Sequence, residues 1–188
     1  MVKYNYFEQL EKLSELARSA VTLACGGQSA TRREEFSSIR RACDRSVCEL
    51  EDALFSDFLP PLERDNLAAC AHALSRVVDA AAELCHHPAT LPTVKQNEES
   101  TVCVKLAESL SEAVSMLKRI RKPDEIPDRQ GFRRLLSEGR CAHNAMLSKL
   151  HAGALPRSSA QTIIQVGRLR AELSRAFDEL VEIMLNNI

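Results

Sequence analysis

The segment Leu74-Ser75-Arg76-Val77-Val78-Asp79 returns ninety-nine residues later as Leu173-Ser174-Arg175-Ala176-Phe177-Asp178. Each copy continues to a glutamate four positions on, Glu83 and Glu182. An offset of one hundred gives a second, sparser match: Arg40/Arg140, Ala42/Ala142, Asp44/Asn144 and Leu50/Leu150. In a chain of 188 residues these matches predict one structural unit built twice, over residues 1–88 and 93–188.

Hydrophobic spacing says what the unit is made of. Apolar residues three and four apart line one face of a helix. Six such rows are present: Tyr6 to Ala24, Phe36 to Leu54, Leu67 to Leu84, Val102 to Leu117, Phe132 to Leu150 and Val166 to Ile183. In the fifth row the facing residues are read as Phe132, Leu135, Gly139, Ala142, Met146 and Leu150. Breakers separate the rows: Gly26-Gly27, where glycine admits the left-handed conformation past a helix end, Pro60-Pro61, His87-Pro88 to Pro92, Pro123 with Pro127, and Gly153 with Pro156. Thr31 with Glu34 reads as a capping box, and Ser158 or Ser159 as the last N-cap. The fourth helix is expected to run from about Glu98 to Ile120. Short breaks favour neighbours that run in opposite directions. The expected fold is therefore all-α, six antiparallel helices in two tandem three-helix bundles.

Composition narrows the class of function. A net charge of −1 gives no electrostatic reason to expect nucleic acid as a partner. No apolar run approaches the roughly 18–20 residues that span a bilayer, so membrane insertion is not expected. The first residues carry no long apolar stretch of a signal peptide. The cysteines number seven, an odd count without a C-x-x-C, which fits reduced thiols in a cytoplasmic protein.

Between Ile39 and Leu84 the chain resembles the PhoU-like family. It is similar, more narrowly, to the branch of uncharacterised domains associated with Pit-type inorganic phosphate transporters. The resemblance is carried by Asp44, by Phe58-Leu59-Pro60-Pro61-Leu62, by Glu63-Arg64-Asp65-Asn66-Leu67, by Leu74 to Asp79, and by the opening Tyr6-Phe7-Glu8-Gln9-Leu10. The second half matches through Leu173 to Asp178. The resemblance implies two three-helix bundles, metal bound through Glu/Asp-x-x-x-Asp motifs, a role in phosphate uptake, and contact with the cytoplasmic side of a transporter or its regulator.

Carboxylates at i and i+4 share a helix face, and two such helices offer hard oxygen ligands to a divalent cation. Here the first carboxylate is replaced each time, by Arg40, Ser75, Arg140 and Ser174. Asp44, Asp79 and Asp178 keep the second, and Asn144 takes its place in the fifth helix. The metal motif thus reads as degenerate, with Asp79 and Asp178 on the polar shoulder beside core-facing Val78 and Phe177, and with Arg40 able to pair with Asp44. No cofactor is expected. Cys85-His86-His87 lacks a second ligand pair at zinc-like spacing. His143 and His151 read as surface or boundary residues, Cys43 and Cys48 as small packed hydrophobes, and Arg32-Arg33, Arg40-Arg41 and Arg133-Arg134 as solvated faces. No nucleophile elbow or phosphate-cradling loop occurs. The expected function is a non-enzymatic accessory or regulator of phosphate transport that works through protein contacts. The alternative is a helical bundle that holds iron or another divalent metal. Ala80-Ala81-Ala82 offers a face for a homo-oligomer.

Overall fold

Apolar rows at helical spacing become helices throughout. The computed structural model describes residues 4–26, 32–58, 60–86, 98–119 and 127–187. Its α-helices are α1 (Tyr6–Cys25), α2 (Arg32–Ser56), α3 (Arg64–His86), α4 (Glu98–Met116), α5 (Arg129–His151) and α6 (Ser159–Asn186). Among the described residues there is no strand. Asn5 caps α1 by accepting from the Glu8 N–H, and Asp128 caps α5 by accepting from the Gly131 N–H. Ser158 occupies the N-cap of α6 without a side-chain capping bond, and Ser159 is buried.

Burying the apolar rows sets the packing. Helices α1, α3, α6 and α4 touch in a closed ring, each against the next. Helix α2 lies against α1 and α3, and α5 lies against α4 and α6. One continuous buried cluster draws side chains from all six helices. Arg40 meets Asp79 and His72 meets Glu51 between α2 and α3. Glu11 meets Lys118, and Ser14 meets Ser111, between α1 and α4.

The two copies of the repeat face each other where α3 meets α6. Val77 and Val78 of one copy and Ala176 and Phe177 of the other are all buried. Arg76 Nη2 bonds both carboxylate oxygens of Glu179, at 2.6 and 2.7 Å, and its Nε lies 3.8 Å from Glu172. Arg168 reaches Glu83 at 2.6 Å. Ninety-nine residues before Glu172 and Glu179 stand Ala73 and Ala80. Arg175, the counterpart of Arg76, therefore turns to Glu172 on its own helix, at 2.7 Å. Further along α6 the Phe177 ring stacks on Phe132 of α5, with centroids 3.7 Å apart and planes 6° from parallel.

Several expectations need correction. In α5 the buried leucine is Leu136, whereas Leu135 and Leu150 are only partly covered. Helix α4 tightens into a 3-10 turn at Leu117–Arg119. Gly26 stays right-handed at φ −81°, because its N–H still bonds the Thr22 carbonyl as the next rung of the helix. Gly153 takes the positive φ, 72°, in the turn after α5. Ala81 and Ala82 are consumed by the core, which removes most of the expected alanine face from the surface. Gly27, Thr31 of the capping box, the His87-Pro88 to Pro92 connection, Ile120 and Pro123 lie outside the described residues.

Cysteines act here as small core side chains. Cys25, Cys43, Cys70 and Cys103 are buried, Cys85 is half-buried, and Cys48 and Cys141 are exposed. Cys48 is thus not the packed residue its spacing suggested. Burial pushes the Cys25 and Cys70 thiols up to about 12 and the Cys43 thiol up to about 11. Cys103 moves the same way. In the native protein Cys48 and Cys141 are expected to react rapidly with Ellman's reagent, the four buried thiols only after unfolding. Unfolded thiols ionise from their ordinary value of 9.0 upward, while the folded ones stay protonated. The unfolded state then binds fewer protons, so this stabilisation is complete below pH 9 and is lost as pH climbs toward 12. Urea melts across that window measure the loss.

Candidate functional site

Three places in the fold concentrate polar or exposed chemistry. The first holds the metal-motif positions. Arg40 and Asp44 lie one turn apart on α2, and Ser75 and Asp79 one turn apart on α3. The Arg40 guanidinium sits 2.8 Å from Asp79 Oδ1, with both side chains about half exposed. Arg40 therefore bridges to the neighbouring helix rather than folding back on Asp44. Cys43 is buried beneath this group. Burial raises its thiol most; the Ser75 side chain bonds it, the Asp44 and Asp79 charges raise it further, and Arg40 lowers it.

The structure thus gathers Asp44 and Asp79 around one point and puts a cation there already. In the second half Asn144 is exposed on α5 and Asp178 exposed on α6. Among the described residues no three His, Cys, Asp or Glu side chains converge as metal ligands would. These residues do not fit a divalent metal: a second cation beside Asp79 would face the guanidinium across a few ångströms and be repelled.

The second place went unseen in the sequence. Glu99, in the first turn of α4, has a side chain with no exposure. Arg170 Nε of α6 donates to its Oε1 at 2.7 Å, and His143 Nδ1 of α5 lies 2.9 Å from its Oε2. His143, read as a surface or boundary residue, lies at the boundary and pairs with this carboxylate. Two glycines make the room. A Cβ on Gly139 would lie 2.7 Å from Arg170 Cδ, and one on Gly167 would lie 2.8 Å from His143 Cε1. Both glycines sit inside helices, where glycine costs about 1 kcal/mol relative to alanine; that cost was the available signal. Arg32 is likewise buried rather than solvated, with Nη2 donating to the Ala24 carbonyl at 2.6 Å. The cluster ties three helices together, with the Glu99 carboxylate fully covered and its two partners only partly so.

The third place is the corner between α2 and α3. Arg64 Nε donates to the Leu54 carbonyl at 3.0 Å, and its Nη2 reaches the carbonyls of Asp57 at 2.5 Å and Phe58 at 3.5 Å. Cationic donors suit a helix C-terminus, where the last carbonyls lack partners. The Tyr6 hydroxyl donates to Asp57 Oδ2 at 3.2 Å and ties the corner to α1. Burial first, then the Asp57 charge, raises the Tyr6 hydroxyl above its ordinary value. On this rigid corner Phe55 and Phe58 stand 93% and 87% exposed. A groove of about 470 Å³ runs beside them, lined by Glu51, Leu54, Phe55, Arg64, Asp65 and Ala68.

The contrast between the two polar clusters is measurable. Glu99→Ala leaves Arg170 and His143 without their buried counter-charge and is expected to cost about 3–5 kcal/mol in urea unfolding. Asp79→Asn or Arg40→Ala opens a half-exposed pair and is expected to change stability by less than about 1 kcal/mol. Equal losses at both sites would show that the burial difference does not govern stability. A scan against protein-family models matches no family, and a search of curated proteins finds no match.

Proposed function

We propose that this chain is a PhoU-like, non-enzymatic accessory protein of the cytoplasm that regulates inorganic phosphate transport by binding a transporter or its regulator. In this reading its six antiparallel helices form two tandem three-helix units, 1–88 and 93–188. The observation that carries the contact role is the Phe55–Phe58 corner. Two phenylalanines near full exposure cost solvation with no compensating burial in the isolated chain, and such residues mark surfaces that a partner covers. The Arg64 bonds support the role, because they hold that corner in one conformation. The family motif Phe-x-x-Pro followed by acidic-Arg-acidic acquires a physical meaning on the same grounds: it presents the aromatics and locks them.

The Arg40–Asp79 ion pair favours a scaffold whose metal positions have degenerated over one that holds iron or another divalent ion. Among the described residues no helix is long and apolar enough to cross a membrane, so attachment to a transporter would be peripheral.

Deleting the chain from its cell is expected to alter the rate of radiolabelled phosphate uptake. Wild type restores the rate; Phe55→Ser/Phe58→Ser, folded by circular dichroism, does not. Unchanged uptake on deletion would remove the phosphate link. Elemental analysis of protein purified without chelator or affinity metal tests the alternative, with Asp79→Asn/Asp178→Asn as control. A stoichiometric ion that disappears in the double variant would restore the metal-binding reading.

A further inference from the structure

The Phe55–Phe58 corner carries a charge signature that says what kind of partner it takes. From Glu49 to Asn66 the chain holds six acidic residues and a single basic one. That basic residue, Arg64, is turned onto the carbonyls of Leu54 and Asp57. Glu51 and Asp65 line the groove itself, and Asp52 and Glu63 are exposed beside it. The aromatic pair therefore stands within an acidic rim.

The corresponding corner of the second half is opposite in character. Over the matching stretch, Lys149 to Val166, there is no Asp or Glu, and there are two Lys or Arg. Leu155 and Ser158 stand one hundred residues after Phe55 and Phe58. The apolar, acidic surface thus belongs to one half alone, although the scaffold repeats.

We propose that this corner docks a basic, apolar segment of a membrane protein. Such a segment would be a helix or loop that sets leucine-type side chains against Phe55 and Phe58 and lysine or arginine against Glu51, Asp52, Glu63 and Asp65. The proposal rests on the contact role argued above and names the chemistry of the partner. Cytoplasmic loops of membrane proteins carry an excess of Lys and Arg close to their spans, which matches the rim. An amphipathic helix laid in a groove uses the same combination of apolar anchors and flanking charges. An anionic lipid surface is disfavoured, since the rim would repel it. A second copy is disfavoured too. Like corners repel, and between Lys149 and Val166 the second half offers Ile164, about half exposed, as the one exposed large apolar side chain to receive two phenylalanines.

The test uses the full chain and a fluorescein-labelled helical peptide of leucine and lysine, with a leucine–glutamate peptide of the same pattern as control. Fluorescence anisotropy is expected to show binding of the lysine peptide alone, weakening as salt rises. Phe55→Ser/Phe58→Ser is expected to weaken it at least about tenfold, as loss of aromatic anchors does. Glu51→Lys/Asp65→Lys is expected to weaken it as well. Both pairs lie at the surface, and circular dichroism verifies the fold. Equal binding of the two peptides, or undiminished binding by the serine variant, would overturn the proposal. So would a mass that grows with concentration in wild type and not in the serine variant, which would mark a self-interface. Flotation with phosphatidylglycerol vesicles that depends on the phenylalanines would reassign the corner to lipid and also overturn it. Failure here with phosphate uptake still dependent on Phe55 and Phe58 would leave the contact role standing and remove only the basic segment. Loss of that dependence with the peptide still bound would do the reverse.

Discussion

The seam between α3 and α6 is the contact on which the rest of the molecule depends. Each helix brings one copy of the repeat, and Val77, Val78, Ala176 and Phe177 are all buried. Around that seam α1 and α4 close the ring, and α2 and α5 lie outside it. The two copies differ in their surroundings. Ala73 and Ala80 stand where the other copy has Glu172 and Glu179, so Arg76 finds partners across the seam while Arg175 does not.

Polar groups divide into those that hold the halves together and those that face outward. Glu99 shows the first use. A fully covered carboxylate is costly unless both oxygens find polar partners; here Arg170 and His143 provide them, and Gly139 and Gly167 keep the space those partners occupy. The register of α4, α5 and α6 is fixed by that requirement together with their apolar rows. The Arg40–Asp79 pair shows the second. It is half exposed and energetically modest, and it sets a guanidinium beside Asp79. At the corner of α2 and α3, Arg64 bonds helix carbonyls while Phe55 and Phe58 stand in solvent.

The helices, most of their buried faces and the repeat were determined by the sequence, because spacing and breakers act over a few residues and are readable one segment at a time. Asp79 and Asp178 on the polar shoulder followed from the same geometry. What the tertiary structure alone decided involves residues far apart in the chain. Arg40 chose Asp79 on the next helix over Asp44 on its own; His143 pairs with buried Glu99 at the boundary, and Arg32 is buried on the Ala24 carbonyl. Phe55 stands one position past core-facing Leu54, so the helix itself turns it to solvent, and Phe58 lies just past the end of α2, where Arg64 bonds the carbonyls of Leu54 and Asp57. Local periodicity says which residues are able to be buried. Which of them are buried, and which charges meet, depends on how helices distant in sequence compete for the same interior.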